Sequence, residues 1–112
     1  PALAWRIEIA GQSIVITGSF NNSKNLIATF AKDADALVVS HAIPENSRGV
    51  LRDLYARPSQ LGRVADQADA RMMILGHRSV RTRGRESLSR NAIEENYNGT
   101  ILFANDGECW GL

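Results

Sequence analysis

Ala36-Leu-Val-Val-Ser40 and Met72-Met-Ile-Leu75 are short apolar runs, separated by a segment that ends in Pro58-Ser-Gln-Leu-Gly-Arg-Val-Ala-Asp-Gln-Ala68. Uninterrupted apolar runs are typical of strands that are covered on both faces, as in a parallel or mixed sheet. The intervening segment repeats apolar residues at helical spacing: Leu61, Val64, Ala65 and Ala68. Because proline is well suited to a first helical turn, this pattern predicts a helix that begins near Pro58. A strand–helix–strand unit of this kind predicts an α/β fold.

Two strands and a helix are predicted before this unit. Trp5-Arg-Ile-Glu-Ile9 alternates apolar and polar residues, which indicates a strand with one wet face. Gly11-Gln12 marks a turn and Ser13-Ile-Val-Ile-Thr17 follows, so we expect a hairpin. The next helix should carry an apolar side, formed by Leu26, Ile27, Phe30 and Ala31.

The C-terminal third predicts one more helix and one or two strands. The helix is indicated by Leu88, Ala92, Ile93 and Tyr97 and ends at Asn98-Gly99. Ile101-Leu-Phe-Ala104 predicts the next strand, and residues 109–112 suggest a last one. Asp106-Gly107-Glu108 is then interpreted as a turn between two strands. The predicted order is β-β-α-β-(α)-α-β-α-β, in a single α/β domain over residues 1–112 with a mixed sheet and flanking helices.

This element order leaves too few helices for the sheet. Three strands that are apolar on both sides need cover on both faces, and three or four short helices cannot supply it. A contiguous exposed apolar patch usually marks an interface, and two-fold dimers are the commonest way to cover one. We therefore expect a homo-oligomer, either a dimer or a larger species.

Bulk composition excludes several classes of protein. Hydrophobic content is 44%, charged content is 22% and the net charge is +1, which is ordinary for a globular protein and offers no general attraction to nucleic acid. No segment is long or apolar enough to span a bilayer, so neither a nucleic-acid nor a membrane partner is expected. Cys109 is the single cysteine, expected as a packed thiol, and favours a cytoplasmic location. Pro1 follows a trimmed methionine or is an internal start.

Five segments together carry a family resemblance. They are Trp5-Arg-Ile-Glu-Ile-Ala-Gly-Gln-Ser-Ile-Val-Ile-Thr-Gly-Ser19, Ala34-Asp-Ala-Leu-Val-Val-Ser40, Tyr55-Ala-Arg-Pro-Ser-Gln-Leu-Gly-Arg-Val-Ala65, Met72-Met-Ile-Leu-Gly-His77 and Tyr97-Asn-Gly-Thr-Ile-Leu-Phe-Ala-Asn-Asp-Gly107. In this order they resemble the C-terminal half of metallo-β-lactamase-fold hydrolases of the arylsulfatase and ribonuclease Z type. That family reads roughly xRIExxGxxVVYTGDT, ADxLVHE, HxxPxxAGRIAxxAxVxxLxLTH and YxGxVxxAxDG. The resemblance implies half of an αββα sandwich.

The metal ligands of that family are mostly replaced in this chain. The family's HxHxDH motif has no counterpart here, and Ser19 stands where the bridging aspartate of TGDT is expected. Tyr55 stands for the histidine of HxxP, and the HE pair reads Val39-Ser40, with His41 one step later. The resemblance retains one ligand, His77, as a partial or vestigial metal ligand.

Coordination chemistry makes these replacements decisive. A catalytic zinc needs about three protein ligands and an open water position. One imidazole and a neutral hydroxyl cannot meet that need, so we expect no cofactor on the isolated chain and zinc only if another chain completes the site. His41 and His77 otherwise remain structural histidines at strand ends. Which residues would catalyse a reaction is unknown.

A basic loop offers another kind of site. Arg78, Arg81, Arg83 and Arg85 lie between a predicted strand and helix, where α/β folds tend to bind ligands. The loop is interpreted either as an anion site or as arginines paired with Glu86, Glu94 or Glu95 or with carboxylates of a partner.

Three functions follow. The first is a truncated module that is not catalytic alone and forms an oligomer. The second is a subunit or fragment of a metal-dependent hydrolase whose missing N-terminal half supplies the HxHxDH ligands. The third is an anion or small-molecule binding module.

Overall fold

The computed structural model describes residues 3–112, so Pro1 and the origin of the N-terminus lie outside the described residues. The elements in chain order are β1 (Trp5–Ile9), β2 (Gln12–Ile16), α1 (Ile27–Phe30), β3 (Ala36–Ser40), α2 (Val50–Leu54), α3 (Pro58–Ala68), β4 (Met72–Gly76), α4 (Glu86–Glu94) and β5 (Thr100–Phe103). The element order predicted from the sequence is confirmed up to β5.

One mixed sheet holds all five strands in the order β1-β2-β3-β4-β5. β1 and β2 are antiparallel, and the pairs from β2 to β5 are parallel. The hairpin turns at Ala10 and Gly11, whose φ angles of 52° and 78° are both positive, as a two-residue type I′ turn requires. The α/β class and the mixed sheet are therefore confirmed.

The main core lies between the sheet and three helices on one face. Its largest fully buried side chains include Leu37, Leu61, Met73, Leu75 and Ile93, contributed by β3, α3, β4 and α4. The predicted stripe of α3 is buried as expected. Within this layer α3 and α4 approach closely, because a Cβ at Gly62 would lie 2.7 Å from the carbonyl oxygen of Ile93.

The opposite face of the sheet is only partly covered. A smaller cluster on β3 and β4 is buried (Ala36, Met72 and Ile74), and Leu112 packs against it. Four apolar side chains of the hairpin remain at least 40% exposed on this side: Trp5, Ile7, Ile9 and Ile16. We call these four residues the apolar strip. The expectation that part of the sheet would stay uncovered in one chain agrees with this exposure.

The C-terminal segment corrects two expectations. Residues 104–112 contain no strand, and Asp106-Gly107 forms a turn that leads into irregular chain. The segment crosses the sheet face instead of pairing at its edge, since the Gln12 side chain donates a 3.2 Å hydrogen bond to Leu112 O on the far side. Cys109, expected as a packed thiol, is exposed for the same reason.

The apolar stripes of α1 and α4 are also corrected. Leu26 and Phe30 of the predicted α1 stripe are exposed, because α1 is one turn long and packs through Ala28. Leu88 of α4 is exposed as well, and Ser89 takes its place on the buried side with Ala92 and Ile93. In each helix a small residue (Ala28 or Ser89) is buried, whereas the larger Leu26, Phe30 and Leu88 face solvent.

Tyr97 lies beyond the end of α4, and its side chain connects this end of the helix to the residues just before β4. Its buried phenol donates a 2.6 Å hydrogen bond to Ala70 O. Burial raises the pKa of this phenol to about 12, so it stays a neutral donor. Within residues 3–112, every helix is too short or too polar to cross a bilayer.

Candidate functional site

The candidate site lies at the edge of the sheet where the parallel strands end. Ser19, His41 and His77 follow β2, β3 and β4, and parallel neighbours bring their carboxyl ends to the same edge. The structure thus places the three residues on one side of the molecule. It does not aim them at one point, as the contacts of each show.

His41 is buried inside the protein and does not face an open position. Its side chain is 1% exposed, and Nε2 lies 2.7 Å from the hydroxyl of Ser89 on α4. Its backbone N–H donates to Gly76 O at 2.8 Å, and its carbonyl accepts a 2.8 Å hydrogen bond from the Thr82 hydroxyl. His41 therefore connects β3, β4 and α4 with the basic loop of residues 78–85, here called the arginine loop.

The environment of His41 keeps its ring neutral. Burial lowers the pKa of the imidazole from 6.5 to about 4, because the charged form would lose its hydration. The carboxylate of Glu86 raises this pKa and the guanidinium of Arg78 lowers it, but burial dominates. Nδ1 is buried and has no hydrogen-bond partner within residues 3–112. These contacts match the structural interpretation of His41.

His77 is exposed and lines an open pocket of about 530 Å³. Its φ of 51° lies in the left-handed region, which non-glycine residues seldom adopt. The other polar residues that line the pocket are Arg78, Arg83, Glu86, Asn105 and Asp106. One imidazole thus faces a polar space of mixed charge.

Arg78 holds this pocket together. Its guanidinium donates to Glu86 Oε1 and to Ala104 O, each at 2.8 Å, and to the side chain of Asn105. The hydrogen bond from Arg78 is the main cause that lowers the pKa of Glu86. Arg78 consequently ties the loop after β4 to α4 and to the end of β5, and its charge is already paired.

We call these hydrogen bonds of Arg78 the Arg78 clamp, and their removal should destabilise the fold. Arg78→Met leaves the half-buried Glu86 carboxylate and Ala104 O without their donor, and we expect the free energy of unfolding to fall by about 1–3 kcal/mol. Urea unfolding followed by circular dichroism measures this change. Arg81→Met, in the same loop but exposed, is the matched control and should stay within about 0.5 kcal/mol of wild type. Equal stabilities of the two variants would contradict the clamp.

The four arginines of the loop differ in their ion pairs and in whether they line the pocket of His77. Among residues 3–112, Arg78 is the one member of the loop in an ion pair, so pairing to an acid holds for Arg78 and Glu86 alone. Arg83 lines the pocket of His77, whereas Arg81 and Arg85 do not. An anion in this pocket would meet Arg83 and His77 as free donors. Anion binding by the loop remains a prediction.

Ser19 and Tyr55 do not share the pocket of His77. Ser19 lines a separate pocket of about 480 Å³ together with Asn21, Lys24 and Asp53. Tyr55 follows α2, where its backbone N–H donates to Leu51 O at 3.0 Å, and its side chain lines neither pocket. The structure therefore separates Ser19, Tyr55 and His77, the three residues that the sequence resemblance matched to functional positions.

A zinc ion does not fit the donors that this chain offers. Within residues 3–112, no three His, Cys, Asp or Glu side chains are grouped so that they could hold a metal. His41 is turned inward to Ser89, and Ser19 and His77 face different pockets. A stable zinc site needs about three ligands at one point, and residues 3–112 do not bring three together.

Sequence reasoning missed the partners that shape the site. The apolar pattern of α4 does not indicate that Ser89 contacts His41, and the turn predicted at Asp106 does not indicate that this residue lines the pocket of His77. The parallel pairing of β4 with β5 supplies the missing signal, because it brings the residues after Phe103 beside those after Gly76. A fold-level topology was needed before these contacts could be inferred.

Comparison with known proteins establishes the fold. No protein-family model matches the sequence, and no curated protein matches it. The metallo-beta-lactamase fold protein YhfI from Bacillus subtilis is similar in structure, with a TM-score of 0.80 and 23% sequence identity. The match covers 96% of this chain and 43% of that chain. The chain thus has part of the metallo-β-lactamase fold, as its sequence predicts, and spans less than half the length of YhfI.

Proposed function

We propose that this chain is a partial metallo-β-lactamase-fold module that self-associates and is not a hydrolase on its own. The observation that supports this proposal best is the one-sided sheet. Helices cover one face, and the apolar strip of Trp5, Ile7, Ile9 and Ile16 is left open to solvent on the other. Exposed apolar surface of this kind favours association, because burial stabilises by about 25 cal/mol per Å².

The donor set supports the second half of the proposal. Activation of water by zinc requires several ligands around one metal ion, and the candidate ligands here face in different directions. The single cysteine, although exposed, is consistent with a reducing compartment, and we place the module in the cytoplasm on that ground.

Self-association is tested by the mass of the purified chain in solution. Light scattering coupled to gel filtration should give a dimer or a larger species for the wild type. Trp5→Lys places a charge in the apolar strip and should shift this species toward monomer. Val80→Lys is the matched control, because Val80 is also an exposed apolar residue but lies in the arginine loop. A wild-type chain that stays monomeric at its highest soluble concentration would refute self-association.

A second candidate function is a subunit of a metal-dependent hydrolase. Two observations favour it: His77 is exposed at the end of β4 in an open pocket, and the chain spans 43% of a metallo-beta-lactamase fold protein. The missing HxHxDH ligands would then come from another polypeptide. Zinc analysis separates the two functions. The subunit function is supported if the zinc content is well below one ion per chain for the protein alone and one or more per complex when a HxHxDH-bearing polypeptide co-purifies.

A further inference from the structure

We propose that two copies of this chain pair edge to edge through antiparallel β1 strands, so that two five-stranded sheets become one continuous sheet. This inference rests on the self-association proposed above and specifies its surface and its register. The partner is a second copy of the chain, and the contact is made of backbone hydrogen bonds and charged side chains as well as apolar residues.

The free edge of β1 carries unpaired backbone groups. The two-residue turn closes with a hydrogen bond between Ile9 and Gln12, so these two residues form a hydrogen-bonded pair. Hydrogen-bonded and non-hydrogen-bonded pairs alternate along an antiparallel ladder. The N–H and C=O groups of Arg6 and Glu8 therefore point away from β2. No backbone group elsewhere in residues 3–112 bonds to them.

The other edge of the sheet is protected. At β5, the Arg90 guanidinium donates a 3.1 Å hydrogen bond to Ile101 O and lies 5.3 Å from the centre of the Phe103 ring. Long charged side chains are a common means of blocking an edge strand. On β1 the Arg6 guanidinium turns to Phe30 O and Lys32 O and does not bond to the outward backbone groups, so this edge is open to another strand within the described part of the chain.

Charge decides the register of the pair. In a two-fold antiparallel pair, the outward backbone groups of one copy must meet the outward groups of the other, so the pair can be centred on Arg6, on Ile7 or on Glu8. Registers centred on Arg6 or on Glu8 oppose like charges, which is destabilising. The register centred on Ile7 opposes Arg6 to Glu8 twice. It is the one of the three that forms two ion pairs and four backbone hydrogen bonds.

The same register also joins the two apolar strips. Trp5 of one copy lies directly opposite Ile9 of the other, and the two Ile7 side chains oppose one another. These residues all project from the uncovered face, and they are the exposed apolar residues of β1 in a single chain. Aromatic and β-branched pairs across neighbouring strands are stabilising. Charge and apolar pattern thus select one register.

Two complementary variants test the register. Arg6→Glu and Glu8→Arg each place like charges opposite one another in a homodimer, so each should dimerise at least tenfold more weakly than wild type. An equimolar mixture of the two should recover a heterodimer of near wild-type affinity. Recovery cannot come from the Arg6–Glu8 ion pair within one chain, because each variant keeps like charges at these positions. Sedimentation velocity measures all three samples.

Each outcome is decisive. Arg6 also donates to Phe30 O and Lys32 O, so circular dichroism must show that Arg6→Glu is folded. If it is unfolded, Glu8→Pro replaces it, since proline there removes an outward N–H while the β1–β2 ladder is kept. Glu8→Pro should be monomeric. Variants that dimerise as well as wild type would overturn the edge pairing and leave self-association intact, whereas a monomeric wild type would overturn both.

Discussion

Gly62→Val is expected to lower the free energy of unfolding by about 2–4 kcal/mol. Gly62 lies in the middle of α3, where alanine would otherwise favour the helix by about 1 kcal/mol. A Cβ at this position would lie 2.7 Å from Ile93 O and 3.1 Å from Ile93 Cα. Both are backbone atoms, so the clash cannot be relieved by rotating a side chain.

The comparison with an exposed position of α3 isolates this contact. Gln67→Val puts the same β-branched residue on the solvent side of the helix and should cost at most about 0.7 kcal/mol. Gly62→Ala should fall between the two, because its single methyl group meets Ile93 but gains in helix propensity. Urea unfolding at one fixed protein concentration gives the three values, since self-association makes stability depend on concentration. Equal losses for Gly62→Val and Gln67→Val would show that α3 and α4 can separate without cost.

The sequence predicts the order of the elements well because each strand and helix carries its own pattern. The apolar runs at β3 and β4 and the spacing of Leu61, Val64 and Ala65 in α3 are local signals, and all are confirmed. The predicted strand at residues 109–112 is wrong because strand pairing is not local. That segment is held by a hydrogen bond from Gln12 and by packing of Leu112 on the sheet face. Neither contact can be predicted from the residue types of the segment itself.

The candidate site was predictable only at the level of the sheet edge. Sequence order and the parallel sheet place His41 and His77 at neighbouring strand ends. The direction of each side chain is not set by the strand order. His41 points into the protein, where it forms a hydrogen bond with Ser89 on α4, and His77 has a left-handed backbone conformation where the chain leaves β4. Patterns of residue type cannot encode such contacts. The role of Arg78 as a clamp likewise depends on Ala104 and Asn105, far along the chain.

The buried imidazole of His41 should make the protein lose stability as the pH falls from 6.5 toward 4. In the unfolded chain a histidine takes up a proton near its ordinary pKa of 6.5, whereas the folded protein holds the pKa of His41 at about 4. Above pH 6.5 both states carry a neutral ring, so His41 contributes no pH dependence there. Below that pH the unfolded state binds the proton first, which favours unfolding.

The size of this effect follows from the separation of the two pKa values. The free energy of unfolding should fall by up to about 1.4 kcal/mol per pH unit, or roughly 2 kcal/mol between pH 6.5 and 5. Below pH 4 the folded state also accepts the proton and the contribution of His41 levels off. Arg78 holds the pKa of Glu86 below its ordinary value of 4.5, so this carboxylate stays charged in the folded protein and adds little to the slope between pH 6.5 and 5.

The two histidines of the chain serve as each other's control. His41→Gln removes the titrating ring, and its free energy of unfolding should be nearly flat between pH 6.5 and 5, although lower than wild type at pH 7 because the bond to Ser89 is altered. His77→Gln removes an exposed ring and should keep the wild-type slope. Urea unfolding across this pH range distinguishes the variants. A steep slope that survives His41→Gln would mean that other groups control the acid response, whereas a slope lost only with His77 would mean that the exposed ring controls it.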